Sequence, residues 1–376
     1  MQKSKTIIIA ALSTRAFVAD AVAAGYEVIA IDAFADADTQ IIAKQTIKVK
    51  QENCNFDTVD FLQKLAEINL SYIAGLFYGS GFDGNITLLT LIASHLPIFG
   101  NLPQTVAQIN TPKDFFKTLD LLNIKHPEVC FNKPDNASGW LIKRGNSSGG
   151  MHIQNAFRNV ALIEGEYLQR EISATPVSLL FLAYKKSAQV IGFNLQLTDA
   201  TAIYPYRYAG NVSHCPLNIT VKEQLVNYAN KLTKHYSLIG LNSLDVMVLD
   251  DQCWVLEINP RLSSSFGLYQ FNDLNFFDLH HQACVGVEDF GHLSILLDTA
   301  KYPKGQHVFY APFNIYIDYK VAWPEWVVDI PMPNTMIEKD APVCTVMANG
   351  IDNNEVIEML EARLQYLRAI FTTHVN

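Results

Sequence analysis

Charge is scarce in this chain, and basic charge scarcer still. Only 17% of the 376 residues are charged, and 28 Lys and Arg face 37 Asp and Glu, a formal net charge of -9. A sequence-independent grip on nucleic acid needs clustered Lys and Arg to neutralise phosphates, and no such cluster occurs. Long apolar runs are missing too: nothing approaches the ~20 residues that span a bilayer, so no membrane partner is expected. The start, Met1-Gln2-Lys3-Ser4-Lys5 before the apolar run Thr6 to Leu12, has the order of a signal peptide, but Arg15 and Asp20 interrupt it. The six cysteines (54, 130, 215, 253, 284 and 344) lie far apart, with no C-x-x-C pair and no Cys/His spacing suited to zinc. That predicts reduced, mostly buried thiols and a cytoplasmic location. Hydrophobic residues, in contrast, make up 49% of the chain, which excludes a disordered protein and at this length predicts two or three packed lobes.

Strand-like runs at Ile7 to Leu12, Val28 to Asp32 and Ile73 to Tyr78 alternate with helical patterns at Phe17 to Ala24, Val59 to Ile68 and Ile86 to Leu96. This rhythm predicts a parallel sheet covered by helices, the lobe ending near Asn101-Leu102-Pro103. A helix then opens at Thr111-Pro112-Lys113-Asp114, with Thr111 as cap and Lys113 in the first turn. Short strands follow at Trp140 to Lys143, Tyr167 to Ile172, Val177 to Tyr184 and Val190 to Leu197, an antiparallel pattern. Thr220-Val221-Lys222-Glu223 has capping-box form ahead of a helix with Leu225, Ala229, Leu232 and Tyr236 on one face. The tail adds short strands and a closing helix with Val356, Leu360, Leu364, Leu367 and Phe371 at helical spacing.

The chemistry concentrates in two places. Ser243 to Leu249 and Cys253 to Arg261 read as two strands around the acidic turn Asp250-Asp251-Gln252. A three-residue turn centred on Asp251 places Asp245 opposite Glu257, and period-two alternation puts Asn259 on the same face. Like charges opposed in a ladder repel unless a cation sits between them, and an all-oxygen set suits Mg²⁺, with Mn²⁺ as the alternative. The second place is Leu141-Ile142-Lys143-Arg144-Gly145-Asn146-Ser147-Ser148-Gly149-Gly150, a strand running into a small-residue loop whose N–H groups could meet phosphate oxygens beside Lys143. It is not a Walker loop.

In chain order Lys113, Lys143 with its loop, Tyr167 to Ile172 and the Asp245/Glu257/Asn259 hairpin with its E-x-N-P-R run resemble the ATP-grasp superfamily over roughly residues 107 to 290. The resemblance implies an α/β architecture: a Rossmann-like pre-ATP-grasp domain (1–106), an ATP-grasp domain (107–300, subdomains 107–166 and 167–300) and a small C-terminal β element with its helix (301–376). It further implies that Lys113 and Lys143 contact ATP phosphates, that Ser147, Ser148, Gly149 and Gly150 form a flexible phosphate flap, and that Gln169, Arg170, Glu171 and Ile172 line the adenine pocket. Asp245, Glu257 and Asn259 would hold Mg²⁺. The activity implied is ATP-dependent joining of a small-molecule carboxylate to an amine through an acyl phosphate, with tyramine–glutamate ligation in cofactor biosynthesis as one instance and a homodimer as the expected assembly. Arg144 and His152 stand where the family commonly has Pro and Gly, and the acid that often holds the ribose is missing from Ser173 to Pro176.

Arg261, following the metal ligands, is the candidate for stabilising the transferring phosphoryl group. Arg207, among Tyr204, Tyr206 and Tyr208, either binds an anionic substrate or stacks on the tyrosines. Ser263 to Ser265 either cradle substrate oxygens or form a turn. His280 and His281 point to different faces of a helix and read as structural. Three other functions compete: a dinucleotide oxidoreductase, opposed by the lack of G-x-G-x-x-G after the first strand; a biotin-carboxylase or carbamoyl-phosphate type of ATP-grasp enzyme; and a non-catalytic ATP-binding regulator.

Overall fold

The computed structural model describes residues 6–132, 134, 136–156, 162–269, 274–287, 302–318 and 321–373. The basic pentapeptide 1–5 and the lobe junction expected at residue 300 lie outside them. The run TIIIAA is apolar throughout because Thr6–Ala11 is central in a parallel sheet and buried along its whole length. The five strands stand in the order Gln45–Lys48, Glu27–Asp32, Thr6–Ala11, Leu76–Tyr78, Ile98–Phe99. Helices Arg15–Ala23, Thr58–Ala66 and Ile86–Ala93 cover it, as the alternation predicts. The strand expected from Ile73 begins only at Leu76, because Asn69 accepts from Ser71 N and winds Leu70–Tyr72 into a 3-10 turn. Strand order reverses between Thr6–Ala11 and Leu76–Tyr78, so the loops after these strands flank a crevice at their C-terminal ends.

A four-stranded antiparallel sheet follows, in the order Gln154–Asn155, Trp140–Arg144, Glu166–Arg170, Val129–Cys130. Trp140 and Leu168 form a small core on one face. Period-two alternation turns Lys143 and Gln169 to the other. The largest sheet has eight antiparallel strands in the order Gln252–Asn259, Gly240–Leu249, Thr175–Tyr184, Ser187–Thr198, Tyr208–Val212, Lys304–Tyr310, Pro342–Asn349, Val327–Val328. Three C-terminal strands thus extend this sheet, while Ile315–Ile317 and Thr335–Ile337 pair with each other apart from it. Helix Ile219–Tyr236 packs beneath, burying Leu225, Ala229, Leu232 and Tyr236 as expected. Its cap is Asn218, which accepts from Val221 N at 2.8 Å, and not the capping box at Thr220. The opposite face, with Leu180, Leu182 and Leu241, joins Phe17 and Val18 of the first lobe and Phe266, Phe276 and Phe277 in one core. The closing helix Asn353–Thr373 buries Val356, Leu360, Leu364, Leu367 and Phe371.

Polar contacts tie the first lobe to the C-terminal strands. Arg15 Nε donates to Asp329 Oδ1 at 2.8 Å, and Asp38 accepts from the Asp329 and Ile330 amides. Asp36 is buried among these groups, its Oδ2 without a hydrogen-bond partner among the described residues. Burial, followed by the charges of Asp329, Asp32 and Asp38, pushes its carboxyl up to about 9. The folded state therefore binds a proton that the unfolded chain has released, and stability falls as pH rises from the ordinary carboxylate range toward 9. Asp36→Asn is expected to raise the unfolding free energy at pH 8 by at least about 1 kcal/mol, the equivalent of one pKa unit, with the gain vanishing near pH 4 in paired denaturant titrations.

Packing on the upper face of the large sheet leaves no room at Gly192, where a Cβ would stand 2.2 Å from the Tyr269 hydroxyl and 2.4 Å from its ring. Tyr269 cannot withdraw without losing its hydrogen bond to Asn194 Oδ1 at 2.6 Å. Gly192→Ala should cost roughly 1–3 kcal/mol by overpacking, read as a lower urea midpoint at unchanged slope.

Candidate active site

The strands Gly240–Leu249 and Gln252–Asn259 bring the acidic residues together by a route that differs from the one expected. The turn has two residues, Asp250 and Asp251, because Leu249 pairs with Gln252, and Asp250 adopts the left-handed φ of 52° that so tight a turn demands. From that register Asp245 would face Leu256. A β-bulge between Asp245 and Val246 inserts one residue in the partner strand, and Asp245 pairs with Glu257 after all. Asn259 Nδ2 donates to Asp245 Oδ2 at 3.2 Å.

The result is a half-buried pair of like charges. The Asp245 carboxyl lies within hydrogen-bond reach of Glu257 and of the Gln196 amide. Burial and the facing Glu257 hold it well above the usual carboxylate range. Lys143, 5% exposed, feels both carboxylates, which oppose the burial that draws its ammonium below the ordinary lysine range. A divalent cation would relieve the repulsion that raises Asp245 beside Glu257, and carboxylate and amide oxygens fit such an ion. Among the described residues no group of three His, Cys, Asp or Glu is placed to hold a metal. Any ion here rests on two carboxylates with the Asn259 amide oxygen, which also accepts from Arg261 Nη2 at 3.1 Å.

Gln169 and Lys143 share the face of the smaller sheet that looks into the cleft. Lys143 Nζ donates to Gln169 Oε1 at 3.3 Å, while the buried Gln169 Nε2 has no hydrogen-bond partner among the described residues. A donor left open at such depth suits a nucleotide acceptor. Arg170 is carried to the other side by strand alternation: its guanidinium lies 4.2 Å over the Trp140 ring and donates to Ser138 O. Glu171 is exposed and accepts from the Tyr206 hydroxyl at 2.7 Å, and Ile172 is half-buried. Lys113 stands exposed in the first turn of Pro112–Leu121. Its helix start abuts the loop, since a Cβ on Gly145 would be 2.7 Å from the Pro112 ring. Thr111 flanks that helix without a side-chain cap, its hydroxyl donating to Ala107 O instead.

The Gly/Ser loop is docked, not free. Gly149 O accepts from Tyr208 N at 3.0 Å, and a Cβ on Gly150, whose φ is 69°, would lie 2.1 Å from Tyr206 O. Ser148 hydrogen-bonds the Cys54 thiol, which protrudes from the first lobe on a two-residue turn. His152, where the family has Gly, is kept neutral by burial and by Lys143, its imidazole falling to about 4. Ser147 lines a cleft of about 500 Å³, open mouth included, together with Glu257, Asn259, Asp83 and Phe116.

Arg261 is 8% exposed and reaches across this cleft, Nε donating to Asp83 Oδ1 at 2.8 Å and Nη1 to Leu262 O at 3.3 Å. Arg207 does not join the group. It is 2% exposed, paired with Asp199 at 2.7 Å and Asp340 at 3.4 Å, and lies 3.9 Å over the Tyr310 ring. The donors that would have met an anionic substrate are used within the protein, so stacking on tyrosines is the arrangement the structure shows. Ser263 and Ser265 bond each other and Ser264 bonds the Tyr208 hydroxyl. His280 accepts from Leu241 N, at the seam between the first lobe and the large sheet. Asp32 is spent on the Thr14 amide and hydroxyl and on the Phe34 and Ala35 amides, leaving nothing for a ribose. Asp83 and Gln196 are site residues the sequence reading missed. The signal for Asp83 was its place after Tyr78-Gly79-Ser80-Gly81-Phe82, at the crevice between the reversing strands.

Residues 113–265 match the ATP-grasp domain family model. An uncharacterized protein of Methanocaldococcus jannaschii is 22% identical over 66% of this chain, and the chain spans only 56% of that relative's length. The biotin carboxylase domain of Hydrogenobacter thermophilus 2-oxoglutarate carboxylase superposes with a TM-score of 0.73 at 10% identity, covering 96% of this chain and 90% of that one. An L-amino acid ligase from Bacillus licheniformis superposes at 0.71 and 11% identity, covering 97% and 98%. Residues 113–265 thus match an ATP-grasp domain, and the fold of the chain is the ATP-grasp fold.

Docking of the loop against Tyr206 to Tyr208 depends on Gly150. Gly150→Ala is expected to release it, speeding amide exchange at Tyr208 at least about tenfold, equivalent to ~1.4 kcal/mol of lost local stability. Gly149→Ala meets nothing within 4 Å but has a φ of 75°, and should show only the smaller strain effect of about 1 kcal/mol.

Proposed function

We propose that this protein is an ADP-forming ATP-grasp ligase that activates a carboxylate as an acyl phosphate and joins it to an amine. The observation that carries this reading is the half-buried Asp245/Glu257 pair with the buried Lys143 and Arg261 around it. Two carboxylates held against their mutual repulsion are costly unless something cationic is to be bound. Asp245, Glu257 and Asn259 would hold Mg²⁺, whose charge would offset that of the nucleotide's phosphates. Lys143 adds a positive charge at the same place, Lys113 and the loop Ser147 to Gly150 approach from the other side, and Gln169 presents its free amide to the nucleotide. Arg261 keeps N–H groups beyond its three internal bonds for the transferring phosphoryl oxygens. None of these roles needs a covalent enzyme intermediate.

The L-amino acid ligase likeness supports a carboxylate–amine pair, and tyramine–glutamate ligation is one instance of that chemistry. The biotin carboxylase likeness supports a second reading, activation of bicarbonate. That relative was solved as a dimer with MgADP and bicarbonate, and we extend to this chain a homodimer and a nucleotide–Mg²⁺ requirement. No helix among the described residues is long and apolar enough to cross a membrane, and a cytoplasmic location accords with ATP as substrate.

Phosphate release with Mg·ATP should appear when one carboxylate and one amine are supplied together from a panel that includes L-glutamate, tyramine and free amino acids. Glu257→Gln is expected to lower the rate at least about a hundredfold, the scale of losing one charge-stabilising group. Release driven by bicarbonate alone would select the carboxylation reading. Tight Mg·ATP binding without turnover across the panel would leave only a regulatory role.

A further inference from the structure

Asp83 belongs to the first lobe but its carboxylate faces the cleft of the other two sheets. The residue is 8% exposed, and one oxygen, Oδ1, accepts from Arg261 Nε at 2.8 Å. The other, Oδ2, is buried and has no hydrogen-bond partner among the described residues. Its backbone is fixed as well, the Asp83 carbonyl accepting from Asn110 Nδ2 at 3.0 Å. The next residue, Gly84, lies so close to the phosphate loop that a Cβ there would be 2.6 Å from Asn146 O. The open oxygen therefore sits under the docked loop, in the cleft shared with Glu257 and Asn259.

A buried carboxylate oxygen without a donor is a strong acceptor awaiting a partner. Neither phosphate nor a substrate carboxylate can fill it, since both carry the same charge. An ammonium or amine, the second substrate that the ligase reading requires, brings both N–H donors and the opposite charge. We propose that Asp83 Oδ2 is the binding and proton-accepting group for the incoming amine, an inference that rests on the ligase reading above. The ammonium gives one proton to Asp83, and its freed electron pair forms the C–N bond at the acyl carbon. The bond between the acyl carbon and the phosphate oxygen breaks, phosphate leaves with the electron pair of that bond and takes the second proton of the nitrogen, and Asp83 returns its proton to water as the products depart. Because Arg261 links Asp83 to Asn259, the amine lies one guanidinium away from the residues that activate the acid.

The test separates activation from amine transfer. A pool of the twenty proteinogenic L-amino acids with tyramine supplies both substrates, and hydroxylamine, uncharged at neutral pH, traps the acyl phosphate as a hydroxamate without needing a base. Asp83→Asn keeps an oxygen for Arg261 and removes the proton acceptor. Any loss that comes through Arg261 lowers both products alike, so the ratio of amide to hydroxamate is the readout: it should fall on the order of a hundredfold and recover as pH approaches the amine's own pKa. Equal loss of both products would overturn the proposal and leave Asp83 as a positioning residue for Arg261; unchanged amide formation would overturn it as well. Absence of hydroxamate with the parent protein would strike the ligase reading instead. Should Asp83→Asn not fold by circular dichroism, the parent decides: amide rates that follow the free-amine fraction across pH 6.5 to 9 exclude an enzymic base, and rates that level off below the amine's pKa support it.

Discussion

The repulsion between Asp245 and Glu257 organises the site. Two half-buried carboxylates share one place on a sheet face that lines the cleft, where water screens each only partly from the other. The neighbouring groups are of the kind that offsets this: the Lys143 ammonium, the Asn259 and Gln196 amides, and the Arg261 guanidinium. Burial lowers the affinity of Lys143 for its proton and the carboxylates raise it, so the lysine's charge and theirs are mutually dependent. Such a balance is open to being completed by a cation and a polyphosphate, which is why the site reads as one for bound ligands and not as a structural ion-pair network.

The first lobe takes part in this balance. Asp83 holds Arg261, the Tyr78 hydroxyl donates to Pro260 O, and Asn101 Nδ2 donates to Asn242 Oδ1 and to Pro260 O. The strand end that carries the E-x-N-P-R run is thus fixed from the neighbouring lobe, over the apolar core that begins at Phe17 and ends on the large sheet. Loop docking closes the same cleft from above, through Gly149, Gly150 and the Ser148–Cys54 contact.

Much of this was legible beforehand. Unbroken apolar runs announced buried parallel strands, and the helical spacing of Leu225 to Tyr236 and Val356 to Phe371 named the faces that pack. The opposition of Asp245 and Glu257 was legible as well, although the turn length was misjudged by one residue and a bulge restored the pairing. Thr220 and Asn218 both suit a helix start, and only the path of the preceding chain chose between them. Arg207 could not be judged from its neighbours in sequence, since Asp340 and Tyr310 meet it from more than a hundred residues away.

By itself the sequence determined the elements, their apolar faces and the local sets of side chains within single hairpins and loops, because periodicity and short-range backbone geometry act over a few residues. It also set Lys113, Lys143 with its loop and the Asp245/Glu257/Asn259 hairpin in an order that resembles ATP-grasp domains. Only the tertiary structure decided that Arg170 faces Trp140 while Gln169 faces the cleft, that three C-terminal strands extend the large sheet, and that Asp83 meets Arg261 across 178 positions. Those outcomes depend on which surfaces exclude water together, and that is a property of the packed chain, set by lobe against lobe and not by any segment alone.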